Sequence, residues 1–201
     1  MLRREQGRLD EVVELVRQSA HEHPTYPIWR CVLVDVMSAV GSDDEARADF
    51  DGLAADRFAR LPFDEEWEVS LCLLAEAAAR LDDPLQAEVL YELLLPYADR
   101  IAVSYPEISV GPVARFLAIL APTVGRDQEA ERHSREAIAL CTRIGARPSL
   151  AHSQLDLGRI LIGRGDEHSA AKAIAAALTT YEDLGMGFHA ARARALRSEI
   201  G

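Results

Sequence analysis

Lysine is almost missing from this 201-residue chain: Lys172 is the one lysine, and arginine carries the rest of the basic charge. Thirty-three acids against twenty-two bases leave a formal net charge of −11. A chain so poor in positive charge is not built to hold duplex nucleic acid, whose phosphates call for an excess of Lys and Arg. Aromatic residues make up only 6%. Ala and Leu dominate instead, which suits closely packed helices and not a β-sandwich, where β-branched and aromatic residues are needed. Cysteine is sparse too. Cys31, Cys72 and Cys141 are odd in number, have no CxxC spacing and signal neither a zinc ribbon nor a thioredoxin-type site, so buried reduced thiols are expected. No apolar run reaches the roughly 18–20 residues of a membrane span. Leu2-Arg3-Arg4-Glu5-Gln6-Gly7 opens into a polar amphipathic stretch rather than a secretory signal. A cytoplasmic protein is expected. The Gly-Lys-Ser/Thr of a phosphate-binding loop is also absent, Lys172 standing among alanines and Gly185-Met186-Gly187 reading as a break between helices.

The charge that is present is unevenly spread. Residues 1–131 carry a net −14 and residues 132–201 a net +3. A solvated surface accounts for such a split; so do two ends that meet different neighbours, or each other head to tail.

Short turns recur along the chain. Gly41-Ser42-Asp43-Asp44-Glu45-Ala46, Gly125-Arg126-Asp127-Gln128-Glu129-Ala130 and Gly165-Asp166-Glu167-His168-Ser169-Ala170 are versions of one motif. Gly7-Arg8-Leu9-Asp10-Glu11-Val12 is a fourth, and Leu81-Asp82-Asp83-Pro84-Leu85-Gln86-Ala87 a fifth that lacks the glycine and has one extra residue. The glycine ends one helix in a left-handed conformation. The acids cap the next helix and favour its positive dipole end, and the small residue sits where two helices approach closely. The small residue falls at 12, 46, 87, 130 and 170, a period of about 34 to 45 residues, which is the sign of an α-solenoid of helix pairs. Apolar spacing within each unit is helical, as at Leu33, Val36, Met37 and Val40, or Leu71, Leu74, Ala75 and Ala78. The expected fold is all-α without β-sheet. Helices are expected over about 10–23, 26–40, 44–58, 66–81, 84–98, 112–123, 127–144, 149–163, 167–184 and 188–199.

The chain resembles the tetratricopeptide-repeat family, most fully in Leu157-Gly158, Gly165, Ala170 and Ala177. The pattern gives about 4.5 repeats in one domain over 1–201: a half repeat at 1–25, units at 26–62, 63–110, 111–147 and 148–186, and a capping helix at 187–201. A narrower resemblance lies in Tyr91-Glu92-Leu93-Leu94-Leu95-Pro96-Tyr97-Ala98, Gly125 to His133, and Ile144-Gly145-Ala146-Arg147-Pro148. These segments are similar to the C-terminal helical-repeat region of large bacterial LuxR-type (MalT-like) ATPase regulators and ATPase-coupled adenylate cyclases. That resemblance implies a fragment or stand-alone relative acting as sensor or scaffold. No activity comes with it, because ATPase, cyclase and helix-turn-helix segments are not in this sequence. The half repeat at the N-terminus points the same way, and it leaves Leu9, Val12, Val13, Leu15 or Val16 partly uncovered, a surface suited to homodimer formation.

Little in the sequence signals chemistry. His21 and His23 are spaced two apart, on different faces of a helix, and His133, His152, His168 and His189 are dispersed with no acid or cysteine pattern to gather them. No catalytic, cofactor-binding or metal site is expected. Arg164-Gly165-Asp166 coincides with the repeat's own turn. The basic stretch 187–199, with His189, Arg192, Arg194 and Arg197, reads as a polar cap, the alternative being a helix that touches nucleic acid or an acidic partner. Arg100 to Pro112, with β-leaning Ile101, Val103 and Tyr105, reads as a long connection tucked against its neighbours. The resemblance to tetratricopeptide repeats places Asp35, Glu76, Arg115 and Arg159 in an inner groove lined by first helices. The expected role is a protein-interaction scaffold or regulatory domain that holds a peptide, a protein or a neighbouring domain of a larger parent, with no enzyme activity. The alternative is a small-ligand effector sensor whose groove closes on its ligand.

Overall fold

The computed structural model describes residues 2–104 and 108–200. Among them run eleven α-helices: α1 (Leu2–Glu5), α2 (Val13–Glu22), α3 (Ile28–Ala39), α4 (Asp43–Ala54), α5 (Trp67–Arg80), α6 (Pro84–Leu94), α7 (Val113–Leu120), α8 (Asp127–Ile144), α9 (Arg147–Gly163), α10 (Glu167–Asp183) and α11 (Gly187–Ser198). One antiparallel hairpin, β1 (Ile101–Ser104) and β2 (Ile108–Pro112), separates α6 from α7. Among the described residues no helix is long and apolar enough to cross a membrane.

Helices α2 and α3, α3 and α4, α5 and α6, and each consecutive pair from α7 to α11 pack on one another across short connections, and α3, α5, α7 and α9 also pack in succession, each on the next. The turns are built as their sequence reads. Gly7, Gly41, Gly125 and Gly165 adopt φ of 68°, 81°, 71° and 77°. In the copy without glycine, Asp82 takes the left-handed place at φ 50°. Ala46, Ala87, Ala130 and Ala170 are fully buried, while Val12 in the first copy is half-buried. Asp83 and Asp166 accept from the backbone N–H of Gln86 and Ser169 at 3.1 and 3.0 Å, true N-caps. Asp43 and Asp127 instead begin their helices and act on the dipole alone.

Prolines decide where several expected helices stop. At Pro96 and Pro122 the missing N–H ends α6 and α7 early, and the chain tightens into 3-10 turns at Leu95–Tyr97 and Pro122–Val124. Helix α4 stops at Ala54 because Arg57 and Phe58 adopt positive φ, turning Phe58 inward to pack on Phe50 with ring centroids 5.9 Å apart.

Two features depart from the expected fold. The stretch expected as a connection without β-sheet forms the hairpin, pairing Ile101 with Pro112 and Ser104 with Ile108 across a register shift at Ala102/Val103. Its β-branched residues favour the pleat, and Gly111, at φ 110° opposite Ala102, accommodates the register shift. Tyr105 and Pro106 lie outside the described residues. The second departure is α1, a short helix ahead of the half repeat. Residues 2–8 fold back over the other helices, Val16 is buried, Leu9, Val12 and Val13 are half-buried, and Leu15 is left exposed.

The core is one large cluster from α2 to α8 and two smaller ones around α9, α10 and α11. Cys31, Cys72 and Cys141 are free and buried, the first two within the large cluster. Burial pushes the Cys31 thiol up to about 12 and Cys72 well above its usual value, leaving both unreactive at neutral pH. Gly158 in α9 lets α10 come close: a Cβ there would lie 2.5 Å from Cγ1 of buried Ile174.

Candidate functional site

The row of α3, α5, α7 and α9 carries a chain of ion pairs. Asp35 on α3, 2% exposed, accepts from Arg4 at 2.6 Å and from Arg80 at 2.8 Å. Glu76 on α5 accepts from Arg4, from Arg80 one turn along its own helix, and from Arg115 on α7 at 2.7 Å. Arg115 then reaches Asp156 on α9 at 2.8 Å, and Asp156 also accepts from Arg159 at 2.8 Å. The four residues expected in the groove, Asp35, Glu76, Arg115 and Arg159, thus belong to one network. Glu76, Arg115 and Arg159 line two hollows, whereas Asp35 lies beneath Arg4 and Arg80 and lines neither.

Burial would raise the Asp35 carboxyl, but the charges of Arg4 and Arg80 overcome it and hold the group below the usual carboxylate range. Asp156 is held down against burial in the same way by Arg115 and Arg159. Both remain ionised because each buried carboxylate accepts from two guanidinium groups, the condition under which a buried charge is tolerated.

Two hollows share this network as a wall. One, of about 490 Å³, lies between α1, α5, α7, α9, α11 and the hairpin, with Leu73, Phe116, Leu155 and Phe188 among its apolar faces. The other, of about 460 Å³, presents five arginines, Arg80, Arg115, Arg159, Arg164 and Arg192, against Glu76, Asp127 and Asp156. Arg192 on α11 makes no ion pair among the described residues. Burial lowers its pKa, and the positive charges of Arg159 and Arg80 lower it further. A protein of net charge −11 therefore concentrates positive charge on one concave face.

The structure corrects the reading of the histidines as dispersed. Helices α9 and α11 bring His152 and His189 together, and α1 adds Glu5. His152 Nε2 is 3.0 Å from Glu5 Oε2, its Nδ1 is 2.8 Å from the Tyr181 hydroxyl, and His189 Nε2 is 3.6 Å from the same Glu5 oxygen. Burial, then the neighbouring His152, depress His189 to about 4. Phe188, beside it, lies against the backbone of Gly7, where a Cβ would fall 2.1 Å from the ring. The N-terminal segment therefore crosses from α3 to α11 and closes one end of the first hollow.

His21, His23 and His168 are exposed. His133 is buried and bonded to Tyr91 at 2.9 Å and Glu136 at 3.1 Å, a satisfied core histidine. Sequence reasoning missed Arg4, Arg80, Asp156 and the histidine cluster. Helical spacing flags Arg80 as a partner of Glu76 and Asp156 as a partner of Arg159. Contacts spanning 31 and 147 residues, Arg4 to Asp35 and Glu5 to His152, have no local signal.

No family model and no curated protein matches the chain. Among solved structures it is similar to BtubC (BKLC) from P. vanneervenii, at 18% identity and a TM-score of 0.51, over 99% of this chain and 92% of that one. At that identity the similarity concerns the fold alone.

Proposed function

We propose that this chain is a non-catalytic protein-interaction module: a TPR-like α-solenoid whose first helices line a groove for an acid-bearing peptide or a neighbouring domain. The observation that carries this reading is the arginine-rich concave face of an otherwise acidic protein. Arg192, without an ion pair among the described residues, and Arg159, whose one carboxylate partner is Asp156, are the guanidinium groups placed to take a further carboxylate, with specificity from charge complementarity. A regulatory role within a bacterial signalling ATPase or transcriptional regulator of the LuxR (MalT-like) type, in the cytoplasm, is the context in which such a module serves. The repeated turn with its fully buried alanine supports the repeat register.

The test is panning of a random peptide library followed by anisotropy titration of the enriched peptides. Acidic peptides are expected to bind with an affinity that falls as salt rises. Arg159→Gln, which leaves Asp156 its bond to Arg115, and charge reversal in Arg192→Glu should sharply weaken binding while leaving the circular dichroism unchanged. Peptides that bind both variants as tightly as wild type would refute the groove.

A second reading, a small-ligand sensor, is favoured by one observation: the N-terminal segment closes the first hollow to about 490 Å³, within the range of small-molecule pockets. Deleting residues 2–8 separates the two. It should destroy a small-ligand site and widen access to a peptide groove.

A further inference from the structure

We propose that Glu5, His152 and His189 form a binding site for a divalent first-row transition metal of the zinc class, and that the metal clasps the N-terminal segment onto α9 and α11.

The donor atoms are already in place. All three lie within 4.8 Å of one another, with Glu5 Oε2 at 3.0 Å from His152 Nε2 and 3.6 Å from His189 Nε2. Zinc–ligand bonds of about 2.0–2.1 Å at tetrahedral angles put neighbouring donors about 3.4 Å apart. The two separations from Glu5 Oε2 bracket that value and the third lies within 4.8 Å, so side-chain rotations bring the donors to a metal.

The site also has an unmet need. His189 Nε2 is buried and has no hydrogen-bond partner, yet it points at the oxygen that His152 also approaches. A buried nitrogen left unsatisfied costs about 1–3 kcal/mol unless something fills it. A cation on its lone pair, shared with the carboxylate, meets that need. The second nitrogen of His152 is held by the Tyr181 hydroxyl at 2.8 Å, and such outer contacts orient a ligating imidazole. Tyr181 is itself fully buried, so the orientation is rigid.

The chemistry of the donors selects the metal. Two imidazoles and one carboxylate suit zinc and its neighbours, whereas magnesium and calcium require oxygen ligands. Three protein ligands leave a fourth position, and here it faces the first hollow. Arg4, one residue from Glu5, does not oppose a cation strongly, because Asp35 and Glu76 absorb its charge. The ligands come from three elements, α1, α9 and α11. Metal binding is therefore coupled to closure of the N-terminal segment.

The experiment is calorimetric titration of the metal-stripped full chain with Zn²⁺, paired with absorption spectroscopy of the Co²⁺ complex. One equivalent is expected, with the intense visible bands of a four- or five-coordinate cobalt site. Glu5→Gln and His189→Ala should each weaken binding by more than the 10–100-fold that loss of an outer contact costs, and Tyr181→Phe by about 10–100-fold. Glu5 lies outside the helical core, so Glu5→Gln keeps the test decisive if His189→Ala fails to fold. A His21→Ala/His23→Ala variant, altered only at exposed histidines, should bind as wild type does. Zinc bound as tightly by Glu5→Gln as by wild type, or lost on removing His21 and His23, would overturn the proposal. So would no binding at all, and the cluster would then be a histidine–carboxylate contact held by protons alone.

Discussion

Two glycines separate the two reasons a repeat needs this residue. At Gly41 an added Cβ meets nothing within 4 Å, so its requirement is conformational, φ 81°. Gly41→Ala should cost about 1–2 kcal/mol, the price of a left-handed non-glycine residue, measured by urea denaturation with an unchanged m-value. Gly158 has ordinary helical geometry, and its requirement is space. Alanine there gains about 1 kcal/mol of helix propensity but forces Cγ1 of buried Ile174 to move, at about 1–3 kcal/mol. Gly158→Ala should therefore destabilise the wild type and stabilise an Ile174→Ala background, where that atom is gone. A destabilisation of equal size in both backgrounds would show that α9 and α10 do not meet at this point. Both glycines are legible in the sequence as parts of the turn motif and of Leu157-Gly158, but only the structure tells which physical demand each one meets.

At the scale of elements, helices were legible because each carries its own period, start and stop. The segment 127–144 runs over its expected range, bounded by Asp127 and by Gly145 at φ 71°. The hairpin was not legible as a sheet because two strands of four and five residues have too little period to weigh against ten helices. Their β-branched residues gave a hint that only the partner strand makes decisive. The row of ion pairs shows the same division. Glu76 and Arg80 share one helix face by spacing, whereas the reach of Arg115 to both Glu76 and Asp156 needs three helices set side by side. That bridging makes Arg115 the residue on which the row depends most. Arg115→Ala would leave two buried carboxylates each short of a partner and should cost about 3–5 kcal/mol. Arg115→Ala combined with Glu76→Gln and Asp156→Asn should recover a large part of the loss. Failure of the triple variant to exceed the single one in melting temperature would mean that packing of the Arg115 stem, not charge, holds α5, α7 and α9 together.

For the whole molecule the buried carboxylates set an acid limit. Asp35 and Asp156 both have folded-state pKa values below their unfolded value of about 3.9. The unfolded chain binds their protons first, so the stability they contribute is complete above about pH 4 and is lost as pH falls through the lower folded-state values. Asp35→Asn and Asp156→Asn should be less stable than wild type at neutral pH, and the gap should narrow below about pH 4. The N-terminal segment ties into the same network through Arg4, while its far end rests on Phe188 through Gly7. Gly7→Leu tests that closure without removing a charge. A side chain at this position, φ 68° and 2.1 Å from the Phe188 ring, must push the segment off α11 and open the first hollow. Because α2 to α8 form their own core cluster, the melting temperature should fall by only a few degrees, a loss of about 1 kcal/mol in a protein of this size. Cleavage of the chain within residues 2–10 by a protease of low specificity should speed up at least tenfold, since it follows the population of the open segment. If cleavage there is unchanged in Gly7→Leu, the segment is held by the contacts of Arg4 and Glu5, and the packing of Gly7 on Phe188 contributes nothing to closing the hollow.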